Sequence, residues 1–128
     1  MALRASNIKG LVDIVEKAMG KDDILFNEGA DLAAATVTNI LQGDANGTEF
    51  TVSVLNRGTV DATFRLGLST STTVLDDTLM LEYDLVIPSG GVLERTAQLI
   101  KDETLYLLAY SDVVDVTVTV HGRHKYGS

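Results

Sequence analysis

The chain has no cysteine, no tryptophan, a single proline, and only 5% aromatic residues in 128 positions. Without cysteine it can form no disulfide framework, no thiolate metal site and no thiol nucleophile. No run of about 18 apolar residues occurs, so we expect neither a membrane-spanning helix nor a membrane partner. Because aromatic side chains are few, the core has to be built from Val, Leu, Ile and Ala. That composition favours strands.

The remaining composition is that of one folded domain. Hydrophobic residues make up 45% of the chain, and a chain of this length buries about two-thirds of its surface on folding. Ten Lys and Arg against eighteen Asp and Glu give a net charge of −8. Nucleic-acid phosphates repel such a protein, so we expect no nucleic-acid partner. The opening "MALRASNIKG" lacks the apolar core of a secretory leader, and we expect folding in a cytoplasm.

A helical pattern occupies the start of the chain. Apolar residues recur there at spacings that place them on one helix face. This face consists of Ile8, Leu11, Val12, Val15 and Met19. Ser6 or Asn7 can cap the helix and Gly20 can end it. The pattern predicts an amphipathic arm in residues 1–22 and a β domain in residues 23–128. The apolar face either covers the chain's own β domain or docks on a neighbouring subunit.

Beyond the arm, apolar and polar residues alternate, which is the period of half-buried strands. The alternation predicts strands in residues 36–41, 48–56, 61–69, 79–87, 92–99, 103–110 and 114–120, with a shorter one at 23–26. Turn clusters such as "QGDANG" and "SGG" separate them. We therefore expect a mainly β fold, a single antiparallel β-sandwich or jelly roll of about seven or eight strands, preceded by the short helix.

Two further predictions concern the conformation or orientation of individual residues. The stretch "FTVSVLNRGTVDATFRLGLS" predicts a hairpin, in which Asn56 and Gly58 supply the positive φ of a tight turn. In residues 79–87, the alternation puts Tyr83 on the same face as Leu81, Leu85 and Ile87, opposite Glu82 and Asp84.

Residue patterns that would carry chemistry are weak. His121 and His124 have H-x-x-H spacing, but at the end of a strand this separation directs the two side chains to opposite faces. "DANGTE" lacks the ligand spacing of a calcium loop and is better explained as a turn. Acidic pairs such as Asp76 with Asp77 and Asp102 with Glu103 fall in polar turns, where we expect solvated charges. The sequence therefore predicts no catalytic residue, no metal site and no cofactor, and we expect a protein that is not an enzyme.

Aromatic residues offer one candidate binding surface. Tyr106 and Tyr110 share a face of the predicted strand in residues 103–110. Exposed aromatic rings are the usual platforms on which proteins stack sugars. The pair therefore predicts, at most, a weak carbohydrate platform.

A series of strand and turn motifs runs through residues 36–122. In chain order these are Asn56-Arg57-Gly58, Ala62-Thr63-Phe64, Tyr83 before Pro88-Ser89-Gly90-Gly91, Ser111-Asp112, and the Val-rich residues 116–122. This order resembles that of small β-sandwich structural proteins of tailed bacteriophages. The resemblance does not extend to the segment "DILFNEGADLAAATV" or to the N-terminal arm.

Within that family the chain is most similar to a capsid decoration (cement) protein. The resemblance implies a structural protein of the virion that binds the major capsid protein on the outer capsid surface, at subunit junctions, and stabilises the shell. It also implies a homo-oligomer, a dimer or trimer, joined through the arm or an exposed strand edge. The alternatives are a tail, baseplate or fibre component with the same fold, and a carbohydrate-binding β-sandwich module.

Overall fold

The structure, a computed structural model, describes residues 23–125. Eight strands make up most of this region, and a short 3₁₀ turn (Asp77–Leu79) precedes the fifth. The strands are β1 (Ile24–Leu32), β2 (Thr36–Gln42), β3 (Thr48–Asn56), β4 (Ala62–Ser69), β5 (Met80–Ile87), β6 (Val92–Ile100), β7 (Tyr106–Ser111) and β8 (Val116–His124). The mainly β prediction is therefore confirmed. The predicted helix in residues 1–22 lies outside the described residues.

The eight strands form two four-stranded sheets. The first sheet has the order β1-β8-β3-β6 and the second has the order β2-β7-β4-β5. All neighbouring strands within each sheet pair antiparallel. The predicted strand in residues 103–110 is apolar on both faces because β7 is a central strand, between β2 and β4.

One hydrophobic core lies between the sheets. Alternate residues of β3 and β8 in the first sheet, and of β4 and β7 in the second, point into it. Fully buried members include Val52, Val54, Phe64, Leu66, Leu107, Val116, Val118 and Val120. Burying one such side chain contributes about 1.5–3 kcal/mol relative to leaving it exposed, so this shared core is what holds the sheets together.

The predicted β3–β4 hairpin is wrong. β3 belongs to the first sheet and β4 to the second, so these consecutive strands face each other across the core instead of pairing side by side. Neither Asn56 nor Gly58 has a positive φ. Asn56 is instead fully buried, and the segment after it crosses from one sheet to the other. The alternation of apolar and polar residues shows which face of each strand is buried. It would be the same whether β3 and β4 paired side by side in one sheet or faced each other across the core.

The predicted alternation, which puts Tyr83 on the same face as Leu85 and Ile87, is also wrong, because β5 contains an extra residue. Phe64 pairs with Leu85, whereas Leu66, two residues further along β4, pairs with Glu82. Asp84 takes a left-handed conformation at this bulge, with φ 52°. A one-residue insertion moves the side chains beyond it to the other face of a strand. Tyr83 is consequently 56% exposed on the outer face of the second sheet.

An ion pair connects the two edge strands β5 and β6. Glu82 pairs with core-facing Leu66 and Arg95 pairs with core-facing Val52, so both charged side chains lie on the inner faces of their sheets. The Arg95 Nη1–Glu82 Oε1 distance is 2.6 Å. The Arg95 Nε atom is buried and has no hydrogen-bond partner among the described residues. The pair therefore joins the sheets at the rim of the core.

Candidate functional site

The outer face of the second sheet carries an aromatic cluster around one arginine. The Arg65 guanidinium carbon lies 4.4 Å from the centroid of the Tyr83 ring and 5.6 Å from that of Tyr110. Both contacts fall within the range of cation–π attraction. Arg65 Nε donates to Asp84 Oδ1 at 2.6 Å, and this hydrogen bond raises the pKa of Arg65. We call Arg65, Tyr83, Asp84 and Tyr110 the Arg65 cluster.

The fold assembles this cluster from three strands. Arg65 is in β4, Tyr110 is its direct cross-strand partner in β7, and Tyr83 and Asp84 form the bulge of β5. Because Asp84 holds the guanidinium, the arginine side chain is ordered before any partner arrives. Beside it, Tyr83 and Val86 each expose 56% of their surface. The tyrosines can be noticed in the sequence, but no sequence pattern indicates that Arg65 lies between them.

Tyr106 and Tyr110 both lie on the outer face of β7, as the strand alternation predicts. Leu107 and Ala109, which alternate with them, are in the core. The two tyrosines are both half-buried. The Arg65 guanidinium occupies one side of the Tyr110 ring, so the surface these residues present combines an aromatic ring with a cation rather than two bare rings.

A second surface feature is a hollow of about 440 Å³ on the first sheet. It lies where the first residues of β1 and β3 meet the last residues of β8. Residues that line this outer hollow include Leu25, Asn27, Glu49, Thr51, His121 and Arg123. The wall that they form is largely apolar. Its volume is in the range typical of ligand pockets, although it is open rather than enclosed.

An ion network forms one rim of the outer hollow. Arg123 Nη2 lies 3.1 Å from Glu49 Oε2, and Arg123 Nη1 lies 3.2 Å from Asp23 Oδ2. Lys125 Nζ lies 2.8 Å from Glu49 Oε1. Hydrogen bonds from Lys125 and then Arg123 lower the pKa of the Glu49 carboxyl. The network also ties the start of β1 to the end of β8.

The two histidines lie on opposite faces of β8, as their spacing predicts. His121 lines the outer hollow. His124 stacks on Phe26 with ring centroids 4.8 Å apart, and its Nδ1 lies 2.8 Å from the buried Thr48 hydroxyl. The histidines therefore do not converge. In residues 23–125, no group of three or more His, Asp or Glu residues is placed to hold a metal ion.

Two of the acidic pairs noted in the sequence contribute turn-capping residues. Asp76 Oδ1 accepts hydrogen bonds from the backbone N–H and the hydroxyl of Thr78, and Asp102 Oδ1 accepts the equivalent pair from Thr104. In both cases the hydroxyl, then the backbone N–H, lowers the pKa of the carboxyl. These carboxylates hold turns in place. A general acid would require a raised pKa instead.

The predicted interface residues of the arm lie outside the described residues. They are Ile8, Leu11, Val12, Val15 and Met19. Their role therefore remains a prediction from sequence.

Comparison with known proteins adds no family. No protein-family model matches the chain, and no curated protein matches its sequence. Over the part of the chain that the structure describes, no helix is long and apolar enough to cross a membrane.

Proposed function

We propose that this chain is a jelly-roll structural protein of a tailed-phage virion that works by binding, without catalysis. The observation that carries the proposal is the strand order, β1-β8-β3-β6 against β2-β7-β4-β5. Eight antiparallel strands divided between two sheets in this way correspond to a double Greek key, an arrangement common in viral capsid proteins and lectins. It agrees with the motif order that resembles phage β-sandwich proteins. The amphipathic arm in residues 1–22 completes the proposed architecture.

Within the virion, the proposed position is the outer surface of the head. There the protein binds the major capsid protein at subunit junctions, as a decoration protein, and associates with copies of itself as a dimer or trimer. The motif resemblance supports this position. The net charge of −8 is compatible with it, because a protein of this charge does not compete for the packaged nucleic acid.

The surface that we assign to capsid binding is the outer face of the second sheet at the Arg65 cluster. Tyrosine and arginine are enriched among the residues that dominate binding energy at protein interfaces. Tyr83 and Val86 are exposed there, and Asp84 orders Arg65 in advance. A preordered side chain loses less conformational freedom on binding, which favours affinity.

Immunogold labelling of intact virions from the source tests the proposed position. Gold distributed over the head shell is the expected result. Gold confined to the tail tip would place the same fold in the baseplate or fibre and overturn the decoration role. Particles that carry no label, and whose mass spectra lack the chain, would overturn the virion assignment altogether.

Carbohydrate binding is the second candidate function. The observation that favours it is the shared outer face of Tyr106 and Tyr110, since lectins also use the jelly roll. A glycan array with the purified chain tests it. If the platform binds sugar, Tyr106→Ala and Tyr110→Ala should both abolish the signal. An empty array would leave the structural role as the remaining proposal.

A further inference from the structure

We propose that the outer hollow of the first sheet is the docking site of the chain's own N-terminal arm. The inference does not rest on a role in a virion. It starts from where the described chain begins: Asp23, the first described residue, is joined to Arg123, which lines the outer hollow, by a 3.2 Å ion pair. The arm therefore enters the structure at the rim of the outer hollow.

The apolar character of the surface around this entry point favours the arm's apolar face as its occupant. Leu25 lines the outer hollow and is 63% exposed. Leu99, the cross-strand partner of Glu49, is 56% exposed. Leu25 and Leu99 thus leave apolar surface exposed on the outer face of the first sheet, on either side of Arg123 and Glu49, and a helix lying across that face could cover both. A sugar would be less well matched to a largely apolar wall.

The lengths allow the arm to reach this surface. The predicted helix over residues 6–19 would be about 21 Å long, and a nine-residue strand is about 30 Å long. The helix therefore fits along the outer face of the first sheet. Residues 20–22 can bridge about 10 Å, which suffices because the outer hollow begins at the residue that contacts Asp23.

The short connection through residues 20–22 favours docking of the arm on the outer hollow of its own chain over docking on that of a second copy. A tethered segment meets its site at an effective concentration in the millimolar range, whereas a second copy has to be supplied from solution. The outer face of the second sheet, with the Arg65 cluster, then remains uncovered for other partners.

Paramagnetic broadening measures this contact in the full chain. Because the chain contains no cysteine, Lys17→Cys creates a single attachment site for a nitroxide, on the polar side of the predicted helix. We expect the amide signals of residues 25–27, 49–51 and 121–123 to lose most of their intensity. The signals of β2 and β5, in the other sheet, should keep theirs. Retained intensity at the outer hollow would overturn the proposal.

Variants on both surfaces separate docking from proximity. Leu11→Asp with Val15→Asp, made in the labelled chain, should restore the signals at the outer hollow while the strand signals stay dispersed. Thr51→Lys, which places a charged side chain in the outer hollow, should do the same from the sheet side. Lys9→Gln with Glu16→Gln changes only the polar side and should leave the broadening intact. Broadening that survives both disruptive variants would overturn the proposal.

A mixed sample distinguishes the chain's own arm from that of a second copy. An isotope-labelled chain without nitroxide is mixed with an unlabelled chain that carries it. If the arm docks on its own chain, the mixture shows no broadening at the outer hollow. Broadening in the mixture would show that arms exchange between copies, and would overturn docking within one chain.

Discussion

The side chain of Asn56, at the end of β3, connects the two sheets by a hydrogen bond to Ile87, at the end of β5. Asn56 Nδ2 donates to the Ile87 carbonyl at 2.9 Å and to the Val60 carbonyl at 2.8 Å, and its Oδ1 accepts from the Gly58 N–H at 2.9 Å. The residue is fully buried. One amide therefore binds three backbone groups, two in the segment that follows β3 and one at the end of β5.

Replacing Asn56 should lower the stability of the fold because its side-chain hydrogen bonds are lost. In Asn56→Ala the buried Ile87 carbonyl loses its side-chain donor, and we expect the free energy of unfolding to fall by about 2–3 kcal/mol. Urea denaturation followed by circular dichroism measures it. Asn39→Ala, an exposed asparagine on β2, is the matched control, with an expected change within about 0.5 kcal/mol. Equal losses in the two variants would show that the Asn56 hydrogen bonds contribute nothing.

Gly122 should tolerate no side chain. A Cβ at this position would lie 2.7 Å from the Phe50 Cα and closer still to the Glu49 carbonyl oxygen, both of which are backbone atoms of the neighbouring strand. We expect Gly122→Ala to separate β8 from β3 and to destabilise the fold by about 3 kcal/mol or more. At Gly29, in contrast, the nearest atom would be 3.8 Å away, so Gly29→Ala should remain folded. Similar urea midpoints for the two variants would contradict the prediction.

The ion pair between Arg95 and Glu82 should couple the two edge strands. Both side chains are less than one-third exposed, and the hydrogen bond between them is charge-assisted. A double-mutant cycle with Arg95→Met and Glu82→Gln should give a coupling energy of about 1–2 kcal/mol. Measured unfolding energies that add without coupling would show that solvent screens the pair completely. The pair formed by Arg57 and Asp31, which is more exposed, is the control and should couple more weakly.

Asp102 should make the stability depend on acid pH. Its hydrogen bonds to Thr104 lower its pKa in the folded state, so they stabilise the fold above the ordinary carboxyl pKa of about 4. This contribution is lost as the pH falls through the lowered folded pKa. Thr104→Val removes the hydroxyl, which is the larger cause. We expect its urea midpoint to lie below that of the unmodified chain at neutral pH, with the difference shrinking below about pH 4.

A threonine without a carboxylate partner provides the control for the acid dependence. Thr119, on the exposed outer face of β8, makes no side-chain hydrogen bond to an acidic residue among the described residues. The midpoint difference for Thr119→Val should therefore not change with pH. If Thr104→Val behaved in the same way, the hydroxyl of Thr104 would not be the cause of the lowered pKa.

The proposed capsid contact at the Arg65 cluster predicts that Tyr83 affects binding to capsids more than stability. Tyr83→Ala removes the exposed ring over which Arg65 lies, and we expect roughly 10- to 30-fold weaker binding to capsids that lack the protein. Cosedimentation of the purified chain with such capsids measures the affinity. Thr119→Ala, on the outer face of the other sheet, should bind like the unmodified chain. Equal binding by both variants would exclude the Arg65 cluster as the contact surface.

Strand positions were predictable from the sequence because the alternation of apolar and polar residues that marks a strand is contained within that strand. The predicted strand in residues 48–56 coincides with β3, and those in residues 61–69, 79–87 and 92–99 differ from β4, β5 and β6 by one residue at an end. β1 was underestimated: its Ile24–Leu32 span includes Asn27, Glu28 and Gly29, which do not alternate in polarity as a half-buried strand does. Edge strands bury less of either face, so their polarity pattern is weaker.

The candidate site was predictable only in part. Tyr106 and Tyr110 were visible as one face of a strand, and that face is the outer one. The contact between Arg65 and Tyr83 could not be predicted, because it depends on the pairing of β4 with β5 and on the bulge at Asp84. One extra residue in a strand moves the side chains beyond it to the other face of the sheet. The alternation of residues in the sequence does not show where such an extra residue lies.

The local pattern of the sequence is enough to show that the chain is mainly β, where most of its strands lie and, outside the bulge of β5, which of their side chains face the core, because side-chain alternation is a property of each strand alone. Which strands and side chains meet depends instead on the tertiary structure. It placed β3 and β4 in different sheets, buried Asn56 between them, and brought Arg65 to Tyr83 and Tyr110. These choices depend on the burial of one shared core by all eight strands together, and no single strand encodes them.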